Sequence, residues 1–144
     1  MKLFSLSLLI IGCLIATTSY SQAPQGIPYQ AVARNTAGAV LASTAVSVRF
    51  SIRDSSATGT IKYRETHAVT TTAQGMFSVN LGQGTSVIGT FAGINWGTNA
   101  KFMQVEIDPA GGSSYIDMGT TQMMSVPYAL YAGSASNLSI GLTS

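Results

Sequence analysis

Glu65 and His67 stand two apart in the stretch "RETHA", and His67 is the only histidine in the chain. On a strand both side chains would point to one face, and Glu106 could oppose them from a neighbouring strand. A carboxylate beside an imidazole is the pairing that moves protons in catalysis or, with further ligands, holds a transition metal. The remaining inventory does not extend it. One histidine with scattered carboxylates makes a poor ligand set, and no nucleophile–base pair can be drawn around it. The expectation is a cross-strand polar cluster on the solvent face with Arg64 or Lys62 nearby, and a protein that is not an enzyme, with no catalytic residue, no metal site and no cofactor.

Other residue groups invite similar questions. Asp108 beside "PAGGSS", together with Asp117, could hold calcium with loop carbonyls. Calcium asks for about six to eight oxygens and usually several carboxylates, so turn capping is the expectation for both. Gly82, Gly84 and Gly89 suggest a phosphate cradle, but no helix opening on Lys-Ser/Thr follows them, and loop flexibility is the simpler account. Trp96 in "FAGINWG" is the candidate ligand platform, because an exposed indole stacks sugars. Otherwise Phe91, Ile94 and Trp96 would cover the open end of the core, with the indole N–H bonded to a loop carbonyl.

Near the end of the chain stands "MMSVPYALYA", residues 123–132. Ser125 can cap a helix N-terminus, and Pro127 suits a first turn, where its missing N–H is no loss. "YALYA" then gives one or two helical turns, with Tyr128 and Tyr131 three apart and so on one side. This turn would serve as a lid on the domain, as an adaptor that meets a partner, or as both. Ser125, Pro127, Tyr128 and Tyr131 are the candidate partner-binding residues. The polar tail 133–144 has too little apolar content to fold alone.

These groups must be held by strands. In "VSVRFSIRD", Val46, Val48, Phe50 and Ile52 alternate with Ser47, Arg49, Ser51 and Arg53, the period of a half-buried strand with its arginines in solvent. "YQAVARN" reads as a first strand. "TIKYRETHAVTTT" is a long β-branched candidate with Ile61, Tyr63 and Val69 in phase, and "MFSVNL" returns after the short "TTAQG" link, which predicts a hairpin between the two. "GQGTSVIGTFAGINWGTNA" carries too many glycines for a strand and predicts a long loop with a short turn. "KFMQVEID" and "YIDMGTTQMMS", the latter broken by Gly119, complete the set. About seven strands with turn residues between them predict a single antiparallel β-sandwich closed by a short C-terminal helical turn.

The N-terminus bears on compartment. Lys2, an apolar run from Leu3 to Ala16 and the small-residue end at Ser19 to Ser21 describe a secretory signal too short for a comfortable membrane span. The predicted layout is a signal peptide at 1–21, a leader at 22–26, a β-sandwich at 27–132 and the tail at 133–144. No transmembrane segment is expected after cleavage. "IIGC" offers a competing lipidation site at Cys13, but the apolar run continues past it; with cleavage after Ser21 no cysteine remains. Charge is nearly balanced, and no basic cluster exists that could release counterions from a nucleic acid, so DNA and RNA are set aside as partners.

The order "YQAVARNTAGAVLASTAVSVRFSIRD", "YRETHAVTTTAQGMFSVNLGQG", "FAGINW", "FMQVEID" and "MGTTQMMSVPYALYA" resembles a prealbumin-like domain found near the N-termini of secreted and surface proteins of Bacteroidota, over about residues 27–132. "MGTTQMMSVPYALYA" is the most specific part of the likeness. In longer relatives that phrase leads into stalks, and short stand-alone members also occur, some of them associated with gliding. The resemblance implies an exported, non-enzymatic interaction module at the cell surface or outside the cell, with the periplasm as another destination. Its partner would be a larger surface or secreted protein, in an adhesin or gliding assembly linked to type IX secretion. The alternative is a soluble carbohydrate- or peptide-binding module. This sequence has no Gly-x-y repeat and no heptads, which separates it from the stalked relatives.

Overall fold

The computed structural model describes residues 25–124. The signal segment expected at 1–21, the C-terminal turn expected at 125–132 and the polar tail therefore lie outside the described residues. Within them the chain forms seven strands, β1 (Ile27–Val32), β2 (Ala45–Asp54), β3 (Ile61–Thr70), β4 (Met76–Leu81), β5 (Thr85–Ile88), β6 (Lys101–Asp108) and β7 (Ile116–Gln122), and one 3-10 turn at Phe91–Gly93. The strands form two antiparallel sheets, one of five in the order β5-β3-β2-β6-β7 and one of two, β1-β4.

Strand β2 lies at the centre of the larger sheet, as the cleanest alternation in the sequence would suggest. Val46, Val48, Phe50 and Ile52 are buried against the small sheet, where the Tyr29 ring meets that of Phe50 edge-on at 4.9 Å. Tyr63, Phe77, Leu81, Ile94 and Ile107 complete the core. Burying Phe50 and its three aliphatic neighbours contributes roughly 1.5–3 kcal/mol each relative to exposure.

The opposite face of β2 is not left to water. Ser47 and Ser51 are buried as well, because long side chains from the flanking strands lie over them. Arg49 Nε and Nη2 donate to the two oxygens of Glu106 at 2.8 and 2.6 Å. Its guanidinium also sits 4.0 Å above the Tyr115 ring. Arg53 donates twice to Gln104 Oε1, at 3.0 and 2.7 Å, and Arg64 Nε to Ser51 Oγ at 2.9 Å. A central strand has neighbours on both sides whose stems cover its small polar residues, so the expected solvent face is a layer of paired arginines.

Two further expectations are corrected. Strands β3 and β4 do not form a hairpin. The short link after β3 carries the chain from one sheet to the other, and β4 pairs with β1 in the register Tyr29↔Val79. Thr71 marks the crossing, since its Oγ1 accepts the Thr44 N–H at 2.9 Å and its hydroxyl donates to the Leu41 carbonyl. The glycine-rich stretch after β4 holds a strand as well as a turn. Strand β5 is four residues long, wholly exposed and at the edge of the large sheet. In β7, Gly119 does interrupt the pairing, with φ of 122° and a register shift opposite Val105 and Glu106.

Candidate functional site

The register of β2 and β3 sets Glu65 directly opposite Phe50, which puts Glu65 and His67 on the core side of the sheet. Glu106, opposite Arg49, is on the other side. The three residues do not converge. The phase of Ile61, Tyr63 and Val69 already contained Glu65 and His67, so the placement follows from strand parity; the expectation of a solvent face gave more weight to charge than to period.

A buried carboxylate needs partners on both oxygens, and Glu65, with no exposed surface, has four. Oε2 accepts the Tyr63 hydroxyl at 2.7 Å and the Gly84 N–H at 2.9 Å. Oε1 accepts the Gly82 N–H at 2.8 Å and lies 3.0 Å from His67 Nε2. Burial pushes the Glu65 carboxyl toward a higher pKa, but the bonds from Tyr63, His67, Gly82 and Gly84 together outweigh it and hold the group below its ordinary value. Burial, followed by the bond to Glu65, pushes the Tyr63 phenol well above its usual value.

The turn "LGQG" is therefore an anion cradle after all, filled by the chain's own carboxylate. Its glycines are required. Gly82 has φ of 100°, and a Cβ there would stand 2.8 Å from the Phe91 ring; one at Gly84 would stand 2.6 Å from His67 Nε2. With both oxygens of the carboxylate engaged, the arrangement ties β3 to the turn after β4.

The acidic loop residues cap turns. Asp108 accepts the N–H groups of Ala110 at 2.9 Å and Ser114 at 2.8 Å, and these bonds hold its carboxyl below the usual range. Asp117 accepts the Gly119 N–H at 2.9 Å. Among the described residues no group of three or more His, Cys, Asp or Glu side chains stands close enough to hold a metal ion.

Trp96 is 44% exposed. Ile94 is buried, and the indole lies on the Phe91 ring at 5.6 Å, which in turn meets Tyr63 edge-on at 5.5 Å. Phe91 and Ile94 thus close this end of the core while Trp96 extends the aromatic stack outward. Nearby is an open polar cleft of about 300 Å³ lined by Asp54, Lys62, Gly93, Asn95, Thr98 and Lys101. Lys101 Nζ reaches Asp54 Oδ1 at 2.8 Å and also the Thr98 carbonyl, which ties the cleft floor together. Ser125, Pro127, Tyr128 and Tyr131 lie outside the described residues.

One feature had no sequence signal. The two-stranded sheet is too narrow for the five-stranded one, and β1 has no partner on its outer edge among the described residues. Beneath that edge is an apolar cavity of about 230 Å³, lined by Tyr29, Ala31, Ala33, Val48, Ile107 and Met118 among others. Ile116 and Met118 of β7, Val32 of β1 and Met124 beyond β7 are exposed. Alternation tells which face of a strand is apolar, but not whether another strand covers it, so this groove could not be read from the residues.

Among the described residues no helix is long and apolar enough to cross a membrane. No curated protein and no solved structure matches the chain. The family model for the domain of unknown function DUF8740 matches residues 28–123. That span runs from the second residue of β1 to the residue after β7, and the chain belongs to this family.

Proposed function

We propose that the protein is a non-enzymatic, secreted interaction module of a cell-surface assembly, an accessory of an adhesin or gliding filament linked to type IX secretion, and a member of the prealbumin-like N-terminal domains of Bacteroidota surface proteins. The observation that carries this reading is the groove where the outer edge of β1, unpaired among the described residues, borders the apolar side of β6 and β7. A free strand edge beside an apolar floor suits recognition of an extended segment, with backbone bonds for affinity and pockets for alternate side chains. The partner in this reading is a larger surface or secreted protein. The engagement of Glu65, His67, Asp108 and Glu106 in bonds within the fold agrees with a role other than catalysis.

The test is capture of partners from surface-sheared cells with the exported chain and with Met118→Asp. The expected result is a surface or secreted protein retained by the first and lost with the second. Capture that ignores the substitution refutes the groove as the site. A second reading, a soluble carbohydrate-binding module, is favoured by the half-exposed Trp96 near a polar cleft. As the only tryptophan, it reports directly. Saturable fluorescence change with an oligosaccharide, absent in Asp54→Ala, would establish that reading instead.

A further inference from the structure

We propose that the outer face of the large sheet, along β2, docks an extended acidic segment of a partner protein, whose carboxylates at alternate residues meet Arg49, Arg64 and Arg53. This is the opposite face of the sheet from the groove, so the inference does not depend on what the groove binds.

Charge makes the first argument. The sequence has five acidic side chains, and all of them belong to the described residues. Asp54 binds Lys101, Glu65 is enclosed on the core side, and Asp108 and Asp117 accept backbone N–H groups. Glu106 alone meets an arginine, Arg49. Arg53 is met by the neutral Gln104 amide and the Gly59 carbonyl, and Arg64 by the Ser51 hydroxyl. Three guanidinium groups therefore share one carboxylate, with the other four engaged elsewhere. Burial, then the charge of Arg49, pushes the Arg64 guanidinium below its ordinary pKa, against the pull of Glu106. The counter-charge that would relieve this has to come from outside the chain.

Position makes the second. Arg49, Ser51 and Arg53 follow one another on one face of β2 at intervals of about 6.7 Å. Arg64 stands opposite Ser51 on β3, and the bond from its Nε to Ser51 Oγ at 2.9 Å draws its guanidinium over β2. The order along the strand is thus Arg49, Arg64, Arg53. A single small ion cannot reach both ends of a row about 13 Å long. An extended peptide can, because its own alternate side chains share one face at the same spacing.

The remaining donors make the third. Arg49 uses Nε and Nη2 on Glu106, and Arg64 uses Nε alone; among the described residues Arg49 Nη1 and both Nη groups of Arg64 have no acceptor. Such forks suit carboxylates, which take parallel bonds from them. All three arginines are half-buried against the sheet, so their stems are already held and lose little freedom on docking.

Fluorescence anisotropy of labelled synthetic peptides with the purified protein tests the docking. Thr-Asp-Thr-Asp-Thr-Asp-Thr should bind saturably and about tenfold more tightly than Thr-Thr-Asp-Asp-Asp-Thr-Thr, which has the same charge in another spacing. Added salt should weaken the binding. Arg64→Gln, which keeps a donor for Ser51, should weaken it about tenfold without lowering the melting temperature. Arg34→Gln, at a cation that follows β1 of the other sheet, should leave binding unchanged. Absence of binding, or equal affinity for the two peptides, overturns the proposal. So does tighter binding of dextran sulfate than of the alternating peptide, which would mark the face as a site for anionic sugar chains. A lower melting temperature in Arg64→Gln with peptide binding intact also overturns it, since Arg64 would then only cover Ser51. Self-association abolished by Asp117→Asn, on the exposed acid of the same face, would replace the partner with a second copy.

Discussion

The carboxylate of Glu65 takes the N–H of Gly84 at 2.9 Å from nineteen residues away in sequence, and so holds β3 to the turn that leaves β4. Replacing Glu65 with alanine would strand the Tyr63 hydroxyl and two backbone N–H groups in a buried site. The expected loss is about 3 kcal/mol or more by urea titration. A change under about 1 kcal/mol would show that water takes the place of the carboxylate.

The same group predicts the acid side of the stability curve. Its folded pKa lies below the ordinary glutamate value of 4.5, so the unfolded chain takes up the proton first as pH falls. The stabilisation is complete above that value and is lost as pH drops through the lower folded pKa. Asp108 acts in the same direction. Melting temperatures from pH 7 to 2 should fall more gently for Glu65→Gln than for the unsubstituted protein. Parallel curves would contradict the assignment.

Phe50→Ala should cost roughly 3–5 kcal/mol by opening the centre of the core. Arg49→Ala, which the alternation of β2 alone would rate as a neutral surface change, should cost about 1–3 kcal/mol. It leaves Glu106 nearly buried without its cation and removes the cover over Tyr115. Chemical denaturation of both variants and of Arg49→Ala with Glu106→Gln checks this, since the double variant should recover part of the loss.

Gly82→Ala should destabilise by about 1–3 kcal/mol, because a left-handed backbone and a ring at 2.8 Å both oppose a methyl group there. Gly38→Ala, also left-handed but in open space, isolates the backbone part, and thermal melts of the pair should differ by the steric contribution. Equal melts would place the Phe91 ring elsewhere.

How far the sequence could be read depended on what each residue answers to. Strands β2 and β6 obey one period over eight residues or more, and their limits and apolar faces were legible. Strand β5 was not, because four exposed residues between glycines bury nothing that a pattern could register. The pairing of β4 was misjudged because a short link suits a hairpin and a sheet-to-sheet crossing alike, and the choice is made by Thr71 and the distant β1. Glu65 was placed on the wrong face because its charge was given more weight than its phase with Tyr63 and Val69, and the Gly82 and Gly84 N–H groups that help satisfy it come from a later turn. Trp96 fell between both expectations, resting on Phe91 yet half in solvent.

The pairing of β1 with β4 has a kinetic consequence. Strands β2 and β3 are joined by a short loop and can zip as soon as both exist, whereas Ile27 must wait for Leu81. Closing that long a loop comes late and slowly. A ribosome working from the N-terminus therefore delivers β1 first but cannot seat it until β4 has emerged, after a nascent β2–β3 hairpin has already formed between them and before β6 arrives to pair with β2.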